Sequence, residues 1–288
     1  MRTIQLNDDT FQIPSSWNEL SHETLMLLAA QSARGIEIHE LKTKVLLHLL
    51  GARIYPGIKT GEGGYLYPVY IGKKVYNLSV QDIHEMNQYV DFLFETKIIN
   101  EGKKKIEKTS LYPLLYKCPY KILPCGCSKN LDNPGDMLVN LTYEEAVNLQ
   151  VIHTAMRNDF WDNINKLLGI LFRDRSKKFD AGQLNKYAND VIKTSNNVKM
   201  IAYWFYVGSM NYIAQKFTTV YNRSGEVKKV GHVFDQQMEL AVELAGKDAT
   251  KIKDLNKTLY WDVLYTIEKS NKDAEEIRKN NPKTSKKK

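Results

Sequence analysis

The stretch from Tyr65 to Phe94, YLYPVYIGKKVYNLSVQDIHEMNQYVDFLF, changes its period halfway along. Tyr65 to Ile71 and Lys74 to Leu78 are rich in Tyr, Val and Ile on either side of Gly72-Lys73, which predicts a hairpin closed by a two-residue turn. Pro68 has no N–H to give a ladder and pushes its strand toward a sheet edge. From Ser79 the apolar positions Ile83, Met86, Val90 and Leu93 fall three and four apart, which predicts a helix capped by Ser79 with Asp82. A hairpin that feeds a helix makes the fold α+β.

Toward the N-terminus, Thr3 to Ile13 reads as a short strand that leads through Pro14 into a turn containing Trp17. Ser21 is placed to cap a helix reaching about Ser32, with Leu25, Leu28 and Ala29 on one face. A second helix, about Glu37 to Leu50, repeats Leu41, Val45, Leu46 and Leu49 and stops at Gly51. Residues 55–64, with Pro56, Gly57, Gly61, Gly63 and Gly64, read as a flexible loop.

Toward the C-terminus the periodicity is lost from Ile99 to Asn140, a stretch holding Lys103 to Lys105, four prolines and all three cysteines. So long a stretch without a period predicts an inserted subdomain or arm, and the domain boundary is expected there. Beyond it the pattern is helical. Thr142 with Glu145 forms a capping box, with Leu141 and Ala146 as its staple, and opens a helix that runs with a break to Phe172. Asp180 and Gln183 begin another, Asn196 or Asn197 caps the apolar helix around Trp204, and Gly225 breaks the pattern. A helix from about Phe234 to Ala245 closes at Gly246, and the last runs from about Thr258 to Lys279. The expected architecture is therefore mainly α, a helical bundle with a small β-hairpin element in the N-terminal half. It divides into an N-terminal module (1–98), an irregular insertion (99–140), a helical domain (141–279) and a disordered basic tail (280–288).

Charge is concentrated at one end. The formal net charge is +8, and six of those charges, Arg278, Lys279, Lys283, Lys286, Lys287 and Lys288, lie in the last eleven residues with no acid among them. The preceding 277 residues are left at +2, so the body is nearly neutral and the tail reads as a solvated segment able to neutralise phosphate. The opening MRTIQLNDDTFQIP has no apolar run of signal-peptide type, so the chain is expected to stay in the cytoplasm. The most apolar segment, Val198 to Ala214, is too short and polar for a membrane span and suits a helix buried on most sides.

Chemical motifs are sparse. Cys118, Cys125 and Cys127 form a C-x6-C-x-C cluster that misses zinc-knuckle spacing and a fourth neighbouring ligand, so they read as reduced thiols with no metal. The six histidines form no H-x3-H pair and no HExxH, and there is no G-x-S-x-G elbow or Walker A loop. Gly61 to Gly64 precedes a strand and lacks the helix dipole that favours anions. Asp159 and Asp162 share a helix face without a second carboxylate pair for two-metal chemistry. Basic clusters at 97–108 and at Arg173, Arg175, Lys177 and Lys178 are flanked by acids and read first as solvated faces. No catalytic residue and no cofactor is assigned.

Three segments, IPSSWNELSHETLMLLA, IGKKVYNLSVQDIHEMNQYVDFLF and FDQQMELAVELAGKDATKIKDLNKTLYWDVLYTIEK, together resemble poorly characterised proteins from the tail and assembly modules of tailed bacteriophages and prophages. The resemblance covers about half of the chain and implies a non-enzymatic structural or virion-assembly protein. Its partners would be other phage structural or assembly proteins, met in the host cytoplasm or in the virion. Large amphipathic side chains supply such contacts, and Trp17, Leu20 and Trp261 are the candidate partner-binding residues, with Trp17 expected to be the most exposed. The competing expectations are a nucleic-acid-binding protein that uses the tail and the two basic clusters, and an enzyme whose active-site residues are dispersed along the chain.

Overall fold

The computed structural model describes residues 1–61, 63–101, 104–125, 131–221, 241–246 and 248–280. Cys127, the break at Gly225, most of the helix expected at 234–245 and the tail beyond residue 280 lie outside the described residues. The chain is mainly helical with small antiparallel sheets and falls into two compact units, Met1–Leu115 and Tyr116–Lys288.

The first unit begins with a hairpin in place of the single strand expected over 3–13. Strands β1 (Arg2–Leu6) and β2 (Asp9–Ile13) pair antiparallel around Asn7, which takes the left-handed conformation (φ 54°) that asparagine tolerates. Helix α1 (His22–Ala33) starts where Ser21 Oγ accepts from the Thr24 N–H at 3.2 Å, and α2 (Ile38–Leu49) ends at Gly51 with φ 61°. Leu25, Leu28 and Ala29 on α1 and Leu41, Val45 and Leu46 on α2 are buried, as their spacing requires.

Strands β3 (Ala52–Ile54), β4 (Ile58–Lys59), β5 (Tyr65–Ile71) and β6 (Lys74–Ser79) form an antiparallel sheet. The hairpin turn falls at Gly72 and Lys73 as expected, but β5 is the central strand, with β6 on one side and β3 and β4 on the other. Pro68 is tolerated there because it lies opposite the gap between β3 and β4, and its carbonyl still accepts from the Tyr55 N–H at 3.0 Å. The expected 55–64 loop thus contains a two-residue strand. Helix α3 (Val80–Met86) carries the Ser79–Asp82 capping box and continues as a 3-10 segment to Leu93.

The irregular stretch expected from residue 99 begins inside a second long hairpin, β7 (Phe94–Glu101) with β8 (Lys104–Leu111). Its charged residues hide the alternation that a half-buried strand would show, because both of its faces meet solvent. The division between the two units falls after Leu115, within the 99–140 stretch.

The second unit is a helical assembly: α4 (Tyr143–Ala155), α5 (Phe160–Leu171), α6 (Leu184–Val191), α7 (Asn196–Lys216), α8 (Thr218–Tyr221), α9 (Ala249–Lys257) and α10 (Tyr260–Asn280). The Thr142–Glu145 capping box opens α4 with Leu141 and Ala146 both buried, and Asp180 caps the turn that leads to α6. Helix α7 is capped by Ser195 rather than by Asn196 or Asn197: its hydroxyl accepts from the Val198 N–H at 3.4 Å, and both asparagines already lie in the helix. Ile201, Phe205, Tyr206 and Ile213 of α7 are all nearly inaccessible. The starts of α4 and α10 are tied together, with the Tyr143 N–H donating to Thr258 O (2.9 Å) and the Tyr260 N–H to Leu141 O (2.8 Å).

Candidate functional surfaces

In the first unit the two faces of the β3–β6 sheet have different fates. Val69, Ile71 and Tyr76 turn inward, where the Tyr76 hydroxyl donates to Asp9 Oδ2 (2.6 Å) and its ring meets Phe11 edge-on. The alternate positions turn outward. The register aligns Tyr70 with Val75 and Arg53, Pro68 with Asn77, and Leu66 with Ile58 on this second face. Tyr55 joins them, its ring 4.9 Å from that of Tyr70. Gly57 makes the neighbouring bend possible, since a Cβ there would come within 2.9 Å of the Tyr67 ring. Tyr55, Ile58, Tyr70 and Val75 are all exposed, Ile58 at 63%. Isolated exposed apolar residues are ordinary on a protein surface, but a contiguous set on one sheet face is characteristic of a contact surface.

In the second unit the basic segment 173–178 has a different role from the one its composition suggests. Arg173 Nε donates to Glu145 Oε1 at 2.5 Å, and its Nη1 donates to the carbonyls of Asp174 and Lys177, curling the segment around the guanidinium. Arg175 reaches Asn133 O (3.2 Å), Asn140 O (3.0 Å), Leu171 O (3.1 Å) and Glu145 Oε1 (3.3 Å). Glu145 is fully buried, and its other oxygen accepts from the Thr142 N–H at 2.8 Å. The two arginines are therefore spent on joining four chain segments around one carboxylate. Lys177 pairs with Asp174 at 2.9 Å, and the Ser176 hydroxyl together with Lys177 holds the Asp174 carboxyl down at about 2. Two small cavities flank the segment, about 220 Å³ beside Lys178 and Lys186 and about 210 Å³ beside Lys178 and Lys257, both bordered by lysines and by Arg173.

A second polar cluster joins α4, α7, α8 and α10. Gln150 Nε2 donates to the Tyr260 hydroxyl (3.0 Å), Tyr221 and Tyr260 share a hydrogen bond of 2.5 Å, and His153 Nε2 lies 3.2 Å from the Tyr203 hydroxyl. Burial raises the phenols, Tyr143 to about 12, and lowers His153 with help from Arg157. At neutral pH the cluster is uncharged, as suits an interior seam.

The cysteines divide. Cys118 is free, with its Sγ 3.3 Å from Tyr120 O and its thiol pushed up to about 11 by burial. Cys125 is disulfide-bonded, so the expectation of reduced thiols fails for it. Among the described residues no three His, Cys, Asp or Glu side chains gather to hold a metal ion, and no helix is long and apolar enough to cross a membrane.

The residues expected to bind a partner are scattered. Trp17 is 1% exposed, the reverse of the expectation, because its short 3-10 turn packs the indole into the core. Trp261 is also buried and donates Nε1–H to Met137 O at 2.8 Å, while Leu20 is half-buried. Trp161 is the exposed tryptophan. Arg278 and Lys279 end α10, where a cation favours the helix dipole without any ligand, and Lys283, Lys286, Lys287 and Lys288 lie outside the described residues. The outward sheet face was signalled in the sequence by apolar residues at both odd and even positions of YLYPVYI, more than one buried face can use. No family model, curated protein or solved structure matches the chain.

Proposed function

We propose that the chain is a non-enzymatic structural or assembly protein of phage type, and that it holds a partner protein on the outward face of its β3–β6 sheet. The observation that carries this reading is the set Tyr55, Ile58, Tyr70 and Val75, exposed together on a sheet whose other face already supplies the core of its unit. Tyrosines on a rigid sheet give large contact area at little cost in side-chain entropy. Arg53, paired with Tyr70 in the register, is exposed on the same face, so the partner is a protein with an apolar surface and an acidic group at its rim. The setting is the host cytoplasm during tail or virion assembly, and the basic C-terminus adds a salt-sensitive contact.

The test is affinity capture with the tagged full-length chain from its native cells, with nuclease treatment and a salt series, repeated with Tyr55→Asp/Tyr70→Asp. Recovery of a defined protein that survives nuclease and is lost with the double variant supports the reading. Recovery of nucleic acid alone, released as salt rises, replaces it with the nucleic-acid reading. That alternative is weakened beforehand, because Arg173 and Arg175 are committed to Glu145 and to backbone carbonyls.

A further inference from the structure

Two histidines that are far apart in the sequence meet on the surface of the first unit, where the sheet-face reading leaves them unused. His39 on α2 and His84 on α3 are both exposed, and their ring centres stand 5.7 Å apart with the planes tilted by 39°. Among the described residues neither imidazole takes part in a hydrogen bond or an ion pair, whereas His153 in the second unit lies against the Tyr203 hydroxyl. The nitrogen lone pairs of His39 and His84 are therefore available to a ligand-seeking cation.

The elements that carry the pair are fixed against each other. His39 and Thr43 lie one turn apart on one side of α2, and His84 and Asn87 lie one turn apart where α3 passes into the 3-10 segment. Asn87 is buried and its Nδ2 donates to Thr43 Oγ1 at 3.0 Å, while the Thr43 hydroxyl donates to His39 O at 3.1 Å. Lys42 Nζ ties the same two segments by donating to Asp91 Oδ1 at 2.6 Å. A buried amide and an ion pair thus set the register, and the adjoining turn of each element brings one imidazole beside the other.

The spacing suits a shared ion. Two imidazoles that bind one metal through nitrogens about 2.0–2.1 Å from it, at a tetrahedral angle, have ring centres about 5 Å apart. The separation of 5.7 Å is close to that, and small turns of two exposed side chains close the difference. Imidazole nitrogen selects Zn²⁺, Cu²⁺ or Ni²⁺ over Ca²⁺ and Mg²⁺, which take oxygen ligands. The adjacent carboxylates are engaged elsewhere, Glu40 with Lys44 at 2.6 Å and Glu85 with Gln81 Nε2 at 2.9 Å. The coordination positions that the two imidazoles do not fill belong to water.

We propose that His39 and His84 together bind one divalent transition-metal ion, which staples α2 to α3. The site is separate from the sheet face and does not rest on the partner reading. Because its two ligands come together only in the folded unit, the ion stabilises that unit by linkage.

Calorimetric titration of Ni²⁺ into the tag-free full-length chain tests it. His39→Ala and His84→Ala are each expected to raise the dissociation constant about tenfold or more, and the double variant to bind little worse than either, since one imidazole alone cannot chelate. His48→Ala, at another exposed histidine of α2, is expected to bind as the wild type does. Excess Ni²⁺ is also expected to move the Trp17 unfolding transition to higher denaturant in the wild type and in neither chelate variant. Exposed alanine substitutions leave the metal-free transition in place, so loss of binding is not loss of folding. Binding weaker than about 1 mM in the wild type, binding that depends on neither histidine or on one alone, or a bound ion that leaves the Trp17 transition unmoved overturns the inference. Tyr55→Asp/Tyr70→Asp is expected to bind Ni²⁺ as the wild type does, so failure here and failure of the sheet-face reading are distinguishable.

Discussion

The two units handle their awkward residues in opposite ways. The Tyr116–Lys288 unit takes charge inside: Glu145 is fully buried and Arg173 nearly so, and their polar atoms are matched by each other, by Arg175 and by backbone carbonyls. The Met1–Leu115 unit leaves apolar surface outside, with Tyr55, Ile58, Tyr70 and Val75 on one sheet face and Ile98 and Ile106 on the β7–β8 arm. A buried ion cluster fixes how segments meet and leaves its charges unavailable to ligands. An exposed apolar face costs its own unit little and is satisfied only by another molecule. The arginines at 173 and 175 are therefore part of the second unit's architecture, while Tyr55, Ile58 and Tyr70 are the exposed surface on which the proposed contact rests.

The sharpest way to break the contrast is to remove the charge at its centre. Glu145→Gln keeps the side chain's size and an acceptor for the Thr142 N–H but leaves Arg173 and Arg175 without a counter-charge. It is expected to destabilise the second unit by about 3–5 kcal/mol. Denaturant unfolding followed by fluorescence can resolve the units, because Trp17 reports on the first and Trp161, Trp204 and Trp261 on the second. The transition of the first unit should not move. An unchanged second transition would mean that the cluster does not hold the segment.

Next in size is Gly169→Ala. A Cβ at Gly169 would lie 2.5 Å from the Tyr187 carbonyl carbon, so α5 and α6 must separate. Overpacking of that kind costs about 1–3 kcal/mol, here confined to the second unit. Circular dichroism melts would show a lower midpoint, and a stable variant would show that α6 can shift freely.

A pH series adds a smaller effect to the same side of the comparison. Burial and Arg157 lower the His153 imidazole from its ordinary value of 6.5. Below that pH the unfolded chain binds a proton that the folded unit resists, so stability present above about 6.5 falls as the pH drops toward the lowered folded value. Once both states are protonated the loss stops growing. His153→Asn should flatten that part of the profile, and an unaltered slope would assign the pH dependence to other groups.

How far the sequence revealed the fold follows the same contrast. Local signals were read correctly where a short-range rule governs them: Ser21 as a cap, the Ser79–Asp82 and Thr142–Glu145 boxes, the Gly72-Lys73 turn and the stop at Gly51. The β7–β8 hairpin was missed because, with no buried face, it has no period to display. Pro68 misled because the gap between β3 and β4 that accommodates it is set by strands distant in sequence. Trp17 was read as a surface residue from its neighbours Ser15 and Ser16, yet a turn can aim an indole inward as easily as outward. The basic run at 173–178 lies 28 residues from Glu145, the group that explains it, and no local spacing announces that partnership.

The smallest stability effect is expected where the functional effect is largest. Tyr55 and Tyr70 keep 47% and 41% of their surface in solvent and lie outside the buried core of the first unit. Tyr55→Asp/Tyr70→Asp should therefore cost the first unit only about 1 kcal/mol, well below the loss of a core side chain. Any loss comes mainly from the 4.9 Å ring contact between them. If capture of a partner protein falls while the Trp17 transition stays in place, the sheet face contributes to binding and not to folding. A clear drop in that transition would instead make the two tyrosines part of the unit's own packing. The contrast between a unit that buries charge and one that exposes apolar surface would then lose its first-unit half.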